Sequence, residues 1–127
     1  MQRTADQAQL SATLAMRMAD RDPIRHLQQW VPDHLDSVRG VEDLARLANM
    51  SPRNFSRWFR KETGGTPAAW LRSVRLEAAK HRLRESRAPV ARVAEHTGFG
   101  GARTLRRALH EQGQTATKLR RGSSNST

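Results

Sequence analysis

Two pairs of arginines stand four residues apart, Arg53 with Arg57 and Arg103 with Arg107. Ser56 accompanies the first pair and Arg106 the second. A guanidinium is a planar, permanently charged fork of N–H donors. It matches targets that present two acceptors side by side, such as a carboxylate, a phosphate or the O6/N7 edge of guanine. A spacing of four puts both forks on one face of a helix. More cations follow at Arg60, Lys61, Arg72, Arg75 and Lys80. The chemistry on offer is recognition of acidic or base-edge groups, not the making of bonds.

Other chemistries lack their parts. The five histidines, at 26, 34, 81, 96 and 110, have no metal-ligand spacing, and there is no cysteine to ligate zinc or act as a nucleophile. Glu77 and Glu85 lie eight apart and need not converge as a catalytic pair. GFGG at 98–101 has no strand before it, so it does not read as a dinucleotide or phosphate loop. Trp30, Trp58 and Trp70 sit among apolar core positions, not on an exposed stacking platform. The expectation is a chain that is not an enzyme and uses no cofactor or metal.

The charge balance points the same way. In 127 residues, 23 Lys and Arg face 12 Asp and Glu, a formal net charge of +11. That excess favours polyanions and speeds encounter with them. Hydrophobic residues make up 36%, enough for one modest core or two small ones. No apolar run reaches membrane-span length, and the first residues lack a secretory layout, so a membrane partner is not expected. The expected location is cytoplasmic, with the nucleoid.

Apolar spacing and cap residues place these groups on helices. AQLSATLAMRMAD puts Leu10, Leu14 and Met18 on one face and fits a short helix or a frayed arm. In RDPIRHLQQWVPDHLD, Asp22 suits an N-cap and Pro23 the first helical position, while Pro32 predicts a break near Val31. VEDLARLAN is a short helix with Val41, Leu44, Leu47 and Ala48 inward and Glu42 and Asp43 at its dipole-positive end. Ser51-Pro52 opens a helix that Gly64-Gly65 stops. Thr66-Pro67 opens a long one over 67–86, about 30 Å at the standard rise. It is apolar on two sides, with Trp70, Leu71, Val74 and Ala78 on one and Leu76, Ala79 and Leu83 on the other. A helix over PVARVAEHTG, the GFGG turn, ARTLRRALHEQ and a weak ATKLRR complete the chain. The expected divisions are an arm or linker at 1–21, a first subdomain at 22–66, a linker helix at 67–86, a second subdomain at 87–121 and a disordered tail at 122–127.

VEDLARLANMSPRNFSRWFRKETGG and PVARVAEHTGFGGARTLRRALHEQGQ are two copies of one unit: short helix, tight turn, second helix. Phe55 and Phe59 align with Leu105 and Leu109 at an offset of 50. At 100° per residue, setting Phe55 inward sends Arg53, Ser56, Arg57, Arg60 and Lys61 to the opposite arc. Setting Leu105 inward does the same for Arg103, Arg106, Arg107 and His110. The fold expected is all-α, two helix-turn-helix subdomains joined by a long central helix. Second helices of this kind can enter a major groove, and the central helix is about one B-DNA turn long. Arg53, Ser56, Arg57, Arg103, Arg106 and Arg107 are the base-edge candidates. Ser51, Thr66 and Gly101, at helix starts with unpaired N–H groups, are phosphate candidates. So are Arg60, Lys61, Arg72, Arg75, Lys80 and Thr104.

SPRNFSRWFRKETGGTPAAWLRSVRLEAAKHRL and VARVAEHTGFGGARTLRRAL together resemble the DNA-binding domain of the AraC/XylS transcription regulators, over residues 22–121. DPIRHLQQWVPDHLD, TPAAW and GFGGARTLRR are most similar to the subgroup with a glutamine-amidotransferase-like domain ahead of the reader, a domain absent here. The resemblance implies the homeodomain-like, AraC-type fold. It also implies recognition helices at about 52–63 and 102–112 in successive major-groove segments, reading about 15–20 bp of double-stranded DNA. Its base-reading positions fall on the six residues named above. RNA polymerase and a separate sensing protein or domain are the further partners it implies. Ala116 stands where the family tends to have proline and Leu119 where it tends to have tyrosine, and the end of the second unit is one step shorter. The last helix is therefore expected to be looser. A DNA-coating protein without sequence preference is one alternative. The other is a protein-interaction module acting on a regulator or RNA polymerase.

Overall fold

The computed structural model describes residues 23–125, with side chains from 24 to 122. The arm expected at 1–21 and the Asp22 cap lie outside the described residues. Seven α-helices follow in order: α1 Pro23–Trp30, α2 Val41–Leu47, α3 Pro52–Thr63, α4 Pro67–Glu85, α5 Val90–His96, α6 Ala102–Glu111 and α7 Ala116–Asn125. Short 3-10 turns at Val31–Asp33 and Leu35–Ser37 lie between α1 and α2. No strand occurs among the described residues, and the all-α expectation matches this architecture. The chain forms two compact units. Val38–Leu71 belongs to the first with the segment up to His34; Leu35–Ser37 and everything from Arg72 belong to the second. The first turn of α4 lies in the first unit and the rest in the second.

In the first unit, α1 gives way at Val31, where Pro32 cannot donate to the helical ladder. His34 Nδ1 lies 2.8 Å from the Trp30 carbonyl, and the two rings stack at 4.0 Å. Ile24, Leu27, Val31, Val38, Leu44, Ala45, Leu47, Phe55, Phe59 and Leu71 are buried. Ala45 takes the inward place expected for Ala48, because α2 leaves Val41 and Ala48 only half-buried. Phe59 bridges to both Phe55 and the half-buried Trp70, with centroids 5.7 and 5.8 Å apart. Each fully buried aromatic contributes about 2–3 kcal/mol relative to an exposed one.

The start of α2 has a device that the helix-dipole reading of Asp43 understated. Gly40 supplies no side-chain cap. Instead the buried Asp43 carboxylate reaches back over the first turn. It accepts from the Arg39 backbone N–H at 2.8 Å and from the Arg39 guanidinium at 3.2 and 3.3 Å. Arg46 adds a second cation at 3.7 Å. Burial pushes the Asp43 carboxyl up, but the hydrogen bonds from Arg39 and the charges of Arg39 and Arg46 outweigh it and hold it below its ordinary value.

The second unit packs Leu76, Ala79 and Leu83 of α4 against Val93 and Ala94 of α5, Leu105, Ala108 and Leu109 of α6, and Leu119 of α7. This is the second apolar line of the long helix. Thr97 is also buried and donates from its hydroxyl to the Val93 carbonyl at 2.7 Å. The last helix is not looser at its core contact. Leu119 is 4% exposed, Ala116 packs against the same cluster, and the Arg120 guanidinium donates to the Ala88 carbonyl. The helix also runs to Asn125, past the point at 122 where a disordered tail was expected. Once Leu119 anchors it and Thr115 caps it, accepting from Lys118 N–H at 3.1 Å, each further residue adds a backbone hydrogen bond without a new nucleation cost.

Replacing Asp43 with Asn will lower stability at neutral pH by about 1–3 kcal/mol in urea unfolding. A carboxyl held low when folded stabilises above its unfolded value and loses that contribution as pH falls through its folded value. The gap between wild type and Asp43→Asn will therefore close below about pH 4.

Candidate nucleic-acid interface

Each unit builds its second helix by the same local means. In the first, α2 ends in a turn closed by Met50 N–H donating to the Ala45 carbonyl at 2.9 Å, with Asn49 left-handed at φ 58°. Ser51 Oγ then accepts from Asn54 N–H at 3.3 Å and caps α3. In the second, Phe99 N–H donates to the Ala94 carbonyl at 2.8 Å, with Gly98 left-handed at φ 87°. The first helices of the two units start at Val41 and Val90, an offset of 49, whereas the second helices start at Pro52 and Ala102, an offset of 50. The additional residue is Gly100, also left-handed at φ 84°. The uniform offset of 50 read from the sequence thus holds only beyond the turn.

The inward faces are set by Phe55 and Phe59 in α3 and by Leu105, Ala108 and Leu109 in α6, all at most 3% exposed. Arg53, Arg57, Arg60 and Lys61 are exposed on α3, with Ser56 half-buried among them. Arg103, Thr104, Arg106, Arg107 and His110 are exposed on α6. Among the described residues, none of the arginines or lysines on these two faces forms an ion pair. The forks are presented, not spent within the fold. Each unit carries its face on its own core.

The helix starts differ. Ser51 and Thr66 are exposed, and Thr66 Oγ1 accepts from Ala69 N–H at 3.2 Å. Gly101 starts α6 in an extended conformation with no side-chain cap, leaving the first N–H groups of that helix without one.

Three cations expected at phosphates are otherwise engaged. The Arg72 guanidinium donates to the Glu111 carboxylate. Lys80, its side chain 13% exposed, pairs with Glu77 at 3.4 Å. Arg75 is half-buried beneath the second turn, and burial pushes its guanidinium down from its usual value. A Cβ on Gly98 would sit 2.7 Å from Arg75 Nε, so that glycine answers two demands, a left-handed backbone and a close approach. Sequence reasoning missed the Arg72–Glu111 pair, whose members are 39 residues apart, and no local spacing could have revealed it. It also passed over Arg39–Asp43, which an i,i+4 reading could have found.

The helix-turn-helix domain family matches residues 44–122, which includes both turns. The chain belongs to the AraC/XylS-type helix-turn-helix family. It is 36% identical over 110 residues to the HTH-type transcriptional regulator Rv1931c of Mycobacterium tuberculosis, a match covering 84% of this chain and 40% of that protein. It is 30% identical over 94 residues to the multiple antibiotic resistance protein MarA of Salmonella typhimurium, covering 74% of each. Its fold resembles the DNA-binding domain of the global transcriptional factor AdpA, solved with a target DNA. That match has a TM-score of 0.71 and 35% identity, over 80% of this chain and 93% of that one. The C-terminal domain of AraT, a response regulator from Geobacillus stearothermophilus, gives a TM-score of 0.68 at 26% identity, over 78% and 84%. No helix among the described residues of this AraC/XylS-type chain is long and apolar enough to cross a membrane.

Gly98→Ala will destabilise the second unit by about 1–3 kcal/mol in thermal or urea unfolding, because both φ and Arg75 oppose the methyl group. Gly100→Ala, with open space around it but the same left-handed backbone, will cost about 1–2 kcal/mol.

Proposed function

We propose that this chain binds double-stranded DNA with sequence specificity and controls transcription, acting as a regulator and not as an enzyme. The observation that carries the reading is the duplicated face. Two helix-turn-helix units each expose arginines on the arc opposite a buried pair, and among the described residues no acid pairs with them. AdpA's DNA-binding domain, solved on a target DNA, has the same fold and supports the reading.

In this mechanism α3 and α6 are the recognition helices. Arg53, Ser56 and Arg57 read base edges from the first, and Arg103, Arg106 and Arg107 from the second. A guanidinium donating to both O6 and N7 of guanine discriminates that base from the other three. Ser56 makes a smaller, less exclusive contact. Arg60, Lys61 and Thr104, with the helix starts at Ser51, Thr66 and Gly101, fix the register on phosphates. Arg75 and Lys80 would first have to leave their present packing or partner, so they stand second to these as phosphate contacts, and Arg72 is held by Glu111. The chain spans 40% of Rv1931c, and what a longer protein would sense or recruit is part of the proposal. RNA polymerase and a separate sensing protein or domain are the partners that fit, in the cytoplasm at the nucleoid. DPIRHLQQWVPDHLD, TPAAW and GFGGARTLRR favour the amidotransferase-linked subgroup.

Selection of bound sites from random duplex DNA at near-physiological salt will return one recurring sequence. On that duplex, Arg57→Ala and Arg107→Ala will each lose about 1–3 kcal/mol in anisotropy titrations and relax preference at separate base positions. Equal binding to selected and scrambled duplexes, with steep salt dependence, would instead mark a DNA-coating protein.

A further inference from the structure

The second recognition helix ends on an acid. Glu111 is the last residue of α6, four positions beyond Arg107. At that spacing the two side chains lie within pairing reach on the helix surface. The corresponding place in the first unit is four positions beyond Arg57 and holds Lys61, a cation. A free Glu111 would compete with a base edge for the Arg107 fork.

The carboxylate is taken elsewhere. Arg72, at the start of the α4 segment in the same unit, donates from Nη2 to Glu111 Oε2. Both side chains remain more than half exposed, at 55% and 53%. An exposed pair of this kind adds little to folding stability. Its consequence lies in what it withholds. Among the described residues Arg107 forms no ion pair, although an acid stands within its reach.

We propose that Arg72 is a positioning residue: by holding the Glu111 carboxylate it keeps Arg107 available for DNA, and it is not itself a phosphate contact. The inference rests on the DNA-reading role proposed for Arg107. Arg72 acts on affinity through Arg107, with Glu111 as the group it restrains. A purely structural tie through this pair would not be restored by removing Glu111, and a phosphate contact would not depend on Arg107.

The test is equilibrium binding of the whole chain to the selected duplex across a salt series. The variants are Arg72→Ala, Arg107→Ala, the two together, and Arg72→Ala with Glu111→Gln; circular dichroism confirms that each is helical. Arg72→Ala is expected to weaken binding about three- to tenfold, less than losing Arg107 itself. On the Arg107→Ala background it should add less than about twofold, since coupled residues are not additive. Adding Glu111→Gln to Arg72→Ala should restore binding to within about twofold, and the salt slope of Arg72→Ala should match wild type. The proposal is overturned if Arg72→Ala binds like wild type, if its loss multiplies with that of Arg107→Ala, or if Glu111→Gln fails to rescue it. A salt slope lowered by about one would reassign Arg72 to a phosphate. These outcomes require a wild-type chain that prefers the selected duplex; if wild type shows no preference, the DNA-reading proposal itself fails, and it fails visibly apart from this one.

Discussion

Phe55 and Phe59 in one unit, and Leu105 and Leu109 in the other, are buried four residues apart on their helices. That burial fixes the rotation of α3 and α6 about their own axes. Once two points one turn apart are pinned to a core, every other side chain on the helix has its direction set by the 100° step. The arginines then need no contact of their own to face outward. Turning either helix to hide them would expose the buried pair and bury several guanidinium groups, and burying an unpaired charge costs several kcal/mol. The interior thus dictates the exterior, and the direction of the surface arginines depends on an apolar contact within the core.

The two units meet this constraint with different materials. The first uses aromatics, with Phe59 lying against Trp70, and caps its second helix with Ser51. The second uses leucines, replaces the cap with Gly101, and inserts Gly100 in its turn. Its turn is also propped from below by Arg75, which the φ of Gly98 and the absence of a Cβ allow to come close. Its helix end is tidy despite being shorter. Gly113 N–H donates to the His110 carbonyl at 2.9 Å and Gln114 N–H to Leu109 at 2.9 Å, so the last carbonyls are satisfied where the chain turns left-handed.

Much of this was legible in the sequence because it is local. Ser51-Pro52, Thr66-Pro67 and the glycines after Thr63 mark helix ends through chemistry confined to a few residues. The apolar four-residue spacings set the faces directly. What escaped was non-local or depended on accessibility. Arg75 and Lys80 look like surface cations in a helical wheel, yet one is packed under a turn and the other lies along the helix with its stem covered. Arg72 and Glu111 meet only because the fold brings α4 beside the end of α6. The change of offset from 49 to 50 was hidden because strong apolar anchors in the second helices dominate any alignment of the two copies. The length of α7 was underestimated because Gly122 and its serine neighbours have poor helix propensity, which a buried Leu119 one turn earlier outweighs.

The central claim is that the outward arcs of α3 and α6 are what DNA touches. Side-chain Nε–Hε resonances of 15N-arginine-labelled protein, followed by NMR during titration with a selected duplex, test it most directly. The account predicts large shifts for Arg53, Arg57, Arg103 and Arg107, with Arg82 and Arg84 near the end of α4 little changed. Shifts confined to Arg82 and Arg84, with the four arginines of α3 and α6 unmoved, would contradict it.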